Sequence, residues 1–184
     1  NSRLMPGAKN RTLGLIGFGG IGTEVAKRAV PFGMKVIYFC RHPNPADDAA
    51  YGVQSVSMEE LLKESDYVVA AVPLTDQTFH LFNEECIAQM KAGSVLINIA
   101  RGPVVDEEAL AQALASGHLG GCAVDVFPKE PCTDSVLTRY SNALLTPHSA
   151  TSTAENSKAT NFAAANNLVN YLKKDIDAKY VVVQ

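Results

Sequence analysis

The chain has 184 residues, 47% of them hydrophobic, and a formal net charge of −3. This length suffices for the core of one ordinary domain, and the charge provides no attraction to nucleic acid or to an anionic membrane surface. No apolar run approaches the roughly 20 residues that cross a bilayer. Four cysteines lie at spacings that match no metal or redox pair, so we expect reduced thiols, no bound metal and a cytoplasmic protein.

The chain starts with Asn1 rather than Met, and the first strand-like run comes only at Thr12. We therefore expect a piece of a longer protein. Residues 1–11 are interpreted as a leading linker and residues 12–184 as one domain.

Short apolar runs alternate with helical patterns along the chain. Most of the runs are uninterrupted, which is typical of strands covered on both faces of a parallel sheet. The predicted strands are Thr12–Ile16, Lys35–Phe39, Tyr67–Ala71, Ser94–Asn98, Gly121–Asp125 and Ala143–Thr146.

Helix signals fill the intervals between these runs. Apolar residues follow helical spacing from Ile21 to Phe32, and a capping box at Ser57 opens a short helix. Asp106 is placed to cap a helix that stops at Gly117, and a long Ala- and Asn-rich helix is predicted over residues 151–173. The segment Pro43-Asn44-Pro45 is interpreted as a loop.

Strand–helix alternation of this kind predicts right-handed crossovers and an α/β fold. We expect a Rossmann-like doubly wound parallel sheet.

A glycine-rich turn follows the first predicted strand directly. Gly17 permits the tight turn, Gly19 lets a pyrophosphate approach the backbone, and Gly22 allows the helix to pack closely. The backbone N–H groups around Gly20 and Ile21 then face the phosphates at the positive end of the helix. The alternative is a glycine-rich turn without a ligand, but a turn placed between a strand and a helix favours a dinucleotide site.

The residues after the second strand bear on which dinucleotide binds. An NAD-binding protein usually places an acidic residue there, about twenty residues beyond the turn, to bind the ribose hydroxyls. This chain has Cys40 and Arg41 instead, so no carboxylate repels a 2′-phosphate and Arg41 offers donors suited to one. We predict a preference for NADP over NAD; the alternative is a solvated Arg41.

Three residues that carry acid–base or charge chemistry follow predicted strands, where ligands of an open α/β sheet bind. Arg101 is a cation suited to a carboxylate, His148 is an acid–base group, and Glu130 is a carboxylate that can orient it. Taken singly, each has a structural interpretation as a cap or a surface-loop residue. Their joint occurrence with the glycine turn favours catalysis.

The chain resembles the nucleotide-binding domain of the D-isomer-specific 2-hydroxyacid dehydrogenases. The resemblance runs from about Thr12 to the final residues. It rests on motifs in the order Gly17-Phe18-Gly19-Gly20-Ile21-Gly22, Val72-Pro73-Leu74-Thr75, Ala100-Arg101-Gly102, Asp125-Val126-Phe127 with Glu130-Pro131, and Thr146-Pro147-His148.

The resemblance implies roles for these residues. Arg101 would bind the carboxylate and carbonyl of a 2-oxo acid. His148 would protonate the carbonyl oxygen, and Glu130 would pair with His148 and favour its protonated form. Asp125 would contact the nicotinamide carboxamide. The remaining cofactor-binding positions implied in this way are Val72, Pro73, Thr78 and Ala100.

The resemblance also implies an NAD(P)-dependent 2-oxoacid reductase that is a homodimer and acts on a small acid such as glyoxylate or hydroxypyruvate. The family's substrate domain is absent from this sequence. Two alternatives remain open: a corepressor-like module that senses dinucleotide without turnover, and a single-domain remnant that binds cofactor without chemistry. Gly20 stands where the family often has Arg, which predicts weaker phosphate binding.

Overall fold

The structure is a computed structural model that describes residues 7–175 and residue 177. The predicted leading segment therefore lies partly outside the described residues, since it includes residues 1–6. The chain divides into two compact units, which meet in sequence between Pro147 and His148. Within the described residues, no helix is long and apolar enough to cross a membrane.

The first unit alternates strands and helices in the order that the apolar runs predict. Its strands are β1 (Thr12–Ile16), β2 (Lys35–Phe39), β3 (Gln54–Ser55), β4 (Tyr67–Ala70), β5 (Val95–Asn98), β6 (Gly121–Val124) and β7 (Ala143–Leu145). Its helices are α1 (Gly20–Ala29), α2 (Pro45–Tyr51), α3 (Met58–Glu64), α4 (Glu84–Ala88) and α5 (Glu107–Ala115). The second unit contains α6 (Ala154–Leu172), which the Thr153 side chain caps by accepting a hydrogen bond from the Asn156 amide.

All strand pairs of the sheet are parallel, in the order β3-β2-β1-β4-β5-β6-β7 within the described residues. The chain moves outward from β1 to β3, then returns to the other side of β1 at β4. This reversal opens a crevice at the carboxyl ends of β1 and β4, the usual ligand site of doubly wound folds. The predicted fold class is confirmed.

Both faces of the sheet are covered by apolar side chains. Along β4, Val68 and Ala70 pack into one hydrophobic cluster, whereas Val69 packs into the other. Successive side chains of a strand point to opposite faces, so an uninterrupted apolar run is needed where both faces are buried. The rigid sheet that results holds the loops at its carboxyl edge.

The six predicted strands are present, and four of them differ by one residue at an end. β3 was not predicted because two residues with polar side chains carry no hydrophobic period. The helices α2 and α4 were also missed, since seven and five residues are too few for a clear helical pattern. The predicted loop at Pro43-Asn44-Pro45 ends at Asn44, whose side chain caps α2, and Pro45 is the first helical residue.

The residues that α1 buries are not the larger apolar residues whose spacing predicts the helix. Ile21 is 58% exposed, and the buried residues are Gly22, Ala26 and Ala29. Small side chains face the sheet because α1 packs close to it at Gly22. The apolar spacing therefore predicts the helix but not the face that it buries.

Two predicted N-caps are confirmed by hydrogen bonds, whereas the reciprocal bond of the capping box, from the Ser57 amide to the Glu60 side chain, stays a prediction. The Ser57 hydroxyl accepts from the Glu60 amide at 3.2 Å, and one Asp106 carboxylate oxygen accepts from the amides of Glu108 and Ala109. Gly117 has φ +76°, so it ends the segment after α5 in the left-handed conformation. Cap signals are local, which explains why the sequence alone identifies them.

Asp66 fastens the amino-terminal ends of β1 and β4. Its carboxylate accepts from Lys91 Nζ at 2.8 Å, from the Thr12 amide at 2.9 Å and from Arg11 Nη1 at 3.2 Å. Burial by itself raises the pKa of this carboxyl, but the hydrogen bond and charge of Lys91 and the hydrogen bonds from the Thr12 amide and Arg11 outweigh it. The pKa of Asp66 therefore lies below the ordinary value of 3.8.

We expect Asp66→Asn to lower the free energy of unfolding by about 1–2 kcal/mol at neutral pH. A depressed folded-state pKa stabilises the fold above the unfolded value of 3.8, and this stabilisation is lost as the pH falls through the folded value. The stabilities of wild type and variant in urea unfolding should therefore begin to converge as the pH falls below 3.8. Glu59→Gln, which alters an exposed pair with Lys63, serves as the control and should change stability by less than about 0.5 kcal/mol. A difference for Asp66→Asn that is independent of pH would contradict the assignment.

Candidate cofactor and catalytic site

The glycine turn after β1 is closed by two contacts that exclude any side chain. Gly17 has φ +100°, and a Cβ there would lie 2.4 Å from the carbonyl oxygen of Ala71. A Cβ at Gly22 would lie 2.4 Å from the carbonyl oxygen of Gly17. The turn therefore brings β1, β4 and α1 together at a distance that only glycine permits.

The other two glycines of the turn face open space. A Cβ at Gly19 or Gly20 would meet nothing within 4 Å. Gly19 caps α1 without a side-chain hydrogen bond, so the first N–H groups of the helix are left to a ligand. Unpaired backbone amides at the positive end of a helix are well suited to bind a pyrophosphate. The start of α1 therefore fits the pyrophosphate of a dinucleotide.

A cavity of about 460 Å³ adjoins this turn at the carboxyl ends of β1, β2 and β4. The structure brings seven of the predicted cofactor residues to its wall: Gly17, Gly19, Cys40, Arg41, Val72, Pro73 and Thr78. Gly20, Ile21 and Gly22 form the start of α1 beside it. His42 and Gln77 also line the cavity and were not predicted.

Thr78 shapes the wall that Pro73 forms. Its hydroxyl donates to the Pro73 carbonyl at 2.6 Å and accepts from the Thr75 amide at 2.8 Å. The hydroxyl therefore holds residues 73–78 in a turn that borders the cavity.

Arg101 stands on a tight turn after β5 that a buried amide organises. The Asn98 side chain, only 1% exposed, donates to the Arg101 carbonyl at 3.1 Å and accepts from the Ala100 amide at 3.1 Å. Arg101 Nη1 donates to the Ala100 carbonyl at 2.7 Å. Arg101 is exposed at the sheet edge, whereas Ala100 is buried beneath it.

The residue after Arg101 brings two loops into contact. A Cβ at Gly102 would lie 2.0 Å from the carbonyl carbon of Phe127 and 2.3 Å from the nitrogen of Pro128. The backbone that follows Asp125 therefore passes directly over Gly102. The Arg101 turn and the loop that carries Glu130 are held against each other at one edge of the sheet.

The loop after β6 is organised by hydrogen bonds of its own acidic residues. Glu130 Oε1 accepts from the Phe127 amide at 2.9 Å, and Asp125 Oδ1 accepts from the Thr146 hydroxyl at 2.6 Å. A cavity of about 250 Å³ adjoins Glu130 and is lined by Phe127, Pro131, Cys132, Thr146 and other residues of this region. The Glu130 carboxylate is thus bound to its own loop, and the Asp125 carboxylate to the residue that follows β7.

His148 is the first residue of the second unit, whereas Arg101, Glu130 and Asp125 belong to the first. Its backbone has φ +51°, a conformation uncommon for a residue with a side chain. The pairing of His148 with Glu130 stays a prediction.

Two residues that shape this edge were missed by sequence reasoning. Asn98 gave one usable signal, a polar residue at the end of an otherwise apolar run. Gly102 gave none, because its crowding comes from residues 25 positions away, and only the tertiary structure shows it.

Comparison with known proteins agrees with this geometry. Residues 1–150 match the family model for the NAD-binding domain of the D-isomer-specific 2-hydroxyacid dehydrogenases. The chain is 41% identical to a glyoxylate reductase of Thermococcus litoralis over 175 residues, 95% of this chain and 53% of that protein. It is 47% identical to a hydroxypyruvate reductase of Thermotoga maritima over 149 residues, 79% of this chain and 47% of that protein.

A solved structure of D-lactate dehydrogenase from Aquifex aeolicus, complexed with NAD and lactic acid, superposes with a TM-score of 0.85. Its sequence identity is 34%, and the match covers 94% of this chain and 56% of that one. The chain spans about half the length of the relatives that it matches. These relatives are reductases and dehydrogenases, which provides no support for the corepressor interpretation. The chain belongs to the D-isomer-specific 2-hydroxyacid dehydrogenases, of which it represents the NAD-binding domain.

Proposed function

We propose that this chain is the cofactor half of a 2-oxoacid reductase that prefers NADPH to NADH and acts on a small acid such as glyoxylate or hydroxypyruvate. Relatives named glyoxylate reductase and hydroxypyruvate reductase support the substrate class. The observation that carries the proposal is the approach of two loops at Gly102, with Arg101 on one and Glu130 on the other.

The chemistry divides between the cofactor and the side chains. A bound reduced nicotinamide supplies the hydride. Arg101 is exposed at the sheet edge and is suited to hold the substrate carboxylate and polarise its carbonyl. On the family resemblance, Glu130 would pair with His148, His148 would donate the proton to the carbonyl oxygen, and Asp125 would contact the carboxamide of a bound nicotinamide.

The reductase proposal is tested with the complete protein. We expect glyoxylate or hydroxypyruvate to cause oxidation of the reduced cofactor, followed by its absorbance. Cofactor binding without turnover on either acid would contradict the proposal and favour a binding module.

The preference for NADPH is supported by the cavity wall after β2. Cys40, Arg41 and His42 line the cavity there, and residues 40–44 include no carboxylate. A 2′-phosphate placed at this wall meets a guanidinium fork rather than a negative charge.

Arg41→Ala should raise the Kd for NADPH about 10-fold or more, since hydrogen bonds between charged groups contribute about 1.5–3 kcal/mol. The Kd for NADH should change less than about two-fold, because NADH lacks the phosphate. Titration by nucleotide fluorescence measures both. Arg28→Ala, an exposed arginine of α1 paired with Glu24, is the matched control and should change neither. Equal changes for the two cofactors would contradict a phosphate-reading role.

We further propose that the protein is a cytoplasmic homodimer that binds neither nucleic acid nor membranes. The cysteines are free, and burial raises the pKa of the Cys86 and Cys122 thiols to about 11, which keeps them protonated and unreactive. The net charge of −3 is consistent with a protein that does not bind polyanions. Sedimentation of the purified protein tests the dimer.

A further inference from the structure

Tyr38 connects the glycine turn of the cofactor cavity to helix α2. It lies on β2, two residues before Cys40, and is 0% exposed. Its ring stacks on the ring of Phe18 in the glycine turn, with centroids 4.1 Å apart and planes inclined by 22°. Phe18 itself lines the cavity beside Gly17 and Gly19.

The hydroxyl of Tyr38 makes a second connection, to α2. It donates to Asp48 Oδ1 at 2.8 Å, and the other oxygen of Asp48 accepts from the Ser55 amide at 3.4 Å. Burial and the neighbouring Asp48 raise the pKa of Tyr38 to about 12, so the hydroxyl keeps its proton and acts as the donor.

The Tyr38–Asp48 hydrogen bond closes the loop that lies between them. Residues 40–44 leave β2 after Phe39 and enter α2 at the Asn44 cap. Tyr38 lies on the strand that precedes this loop, and Asp48 lies on the helix that follows it. Their hydrogen bond therefore fixes both ends of the loop. Arg41 and His42 line the cavity from this loop, so its placement decides where their side chains stand.

We infer that Tyr38 is a positioning residue for cofactor specificity: through Asp48 it sets the place of the 40–44 loop against the glycine turn. The inference deepens the proposed preference for NADPH and rests on it. It predicts that loss of the hydroxyl weakens recognition of the 2′-phosphate and leaves the amides of the glycine turn unaffected.

The test compares the Kd values of NADPH and NADH for this chain carrying Tyr38→Phe. This change keeps the ring stack on Phe18 and removes the hydroxyl, together with its bond to Asp48 and its hydrogen bond with the Asn44 backbone at the end of the 40–44 loop. We expect the ratio of the NADH Kd to the NADPH Kd to fall about three-fold or more, with the NADH Kd nearly unchanged. Tyr51→Phe, at the end of the same helix, leaves the Tyr38–Asp48 bond in place and should leave the ratio unaltered.

Arg41→Ala, measured alongside, separates this inference from the proposed function. A changed ratio in Arg41→Ala with an unchanged ratio in Tyr38→Phe overturns the positioning role and leaves the NADPH proposal standing. A changed ratio in Tyr38→Phe alone supports the positioning role and removes Arg41 as the phosphate reader. Equal weakening of both cofactors by Tyr38→Phe would show a purely structural role, and no change in either variant overturns both ideas.

Discussion

Replacement of Arg101 by glutamine in the complete protein is expected to lower kcat/KM for a small 2-oxo acid by about 10³-fold, with little change in the Kd for NADPH. Loss of one group that stabilises charge in the transition state costs about 10²–10³-fold in rate, and loss of carboxylate binding adds to it. Arg101 lies at the sheet edge beyond β5, on a turn organised by buried Asn98. The glycine turn is a separate structure, so cofactor affinity should be retained.

Two variants sharpen this test. Arg101→Lys keeps the positive charge but loses the planar fork, so it should recover only part of the activity. Arg28→Gln removes a guanidinium from the exposed surface of α1 and should leave activity unaffected. Retention of wild-type kcat/KM by Arg101→Gln would eliminate the proposed role of Arg101 in binding the substrate.

Gly102→Ala is expected to reduce the free energy of unfolding by at least about 3 kcal/mol, a large effect for one methyl group. The added Cβ would lie 2.0 Å from the carbonyl carbon of Phe127, and a backbone atom cannot move aside as a flexible side chain can. Relief requires separation of the Arg101 turn from the Glu130 loop. Urea unfolding measures the loss of stability.

Gly20→Ala is the matched control for this prediction. It adds the same methyl group in the first turn of α1, where a Cβ meets nothing within 4 Å. Its stability should stay equal or rise by up to about 1 kcal/mol, because alanine favours a helix over glycine. If the two variants unfold at the same urea concentration, the close passage of Phe127 over Gly102 is wrong.

Local signals explain why much of the fold could be predicted. Apolar runs covered on both faces located the strands from β1 to β7 except the two-residue β3. Caps at Ser57 and Asp106 depend on residues within one helical turn, so the sequence identified them correctly. Short helices such as α4 carry too few residues for a period, and they required the structure.

In the candidate site, too, some features could be predicted from local sequence signals and others required the structure. Glycine spacing after β1 predicted the dinucleotide turn, and the absence of a carboxylate at Cys40 raised the question of NADPH. The place of His42 on the cavity wall was not predicted, because no ligand spacing marks it. Neither was the role of Asn98, whose hydrogen bonds to the Arg101 turn form only when the end of β5 is folded and buried.

The sequence by itself determined the α/β class, the strand order along the chain, the glycine turn and the identity of the charged residues that follow the strands. These features depend on hydrophobic period, glycine conformation and side-chain chemistry, which act over a few residues. The tertiary structure alone decided the contact of Gly102 with Phe127, the stack of Phe18 on Tyr38 and the bond from Tyr38 to Asp48. Such contacts join residues 10 to 25 positions apart, and they exist only because the parallel sheet brings the carboxyl ends of its strands to one edge.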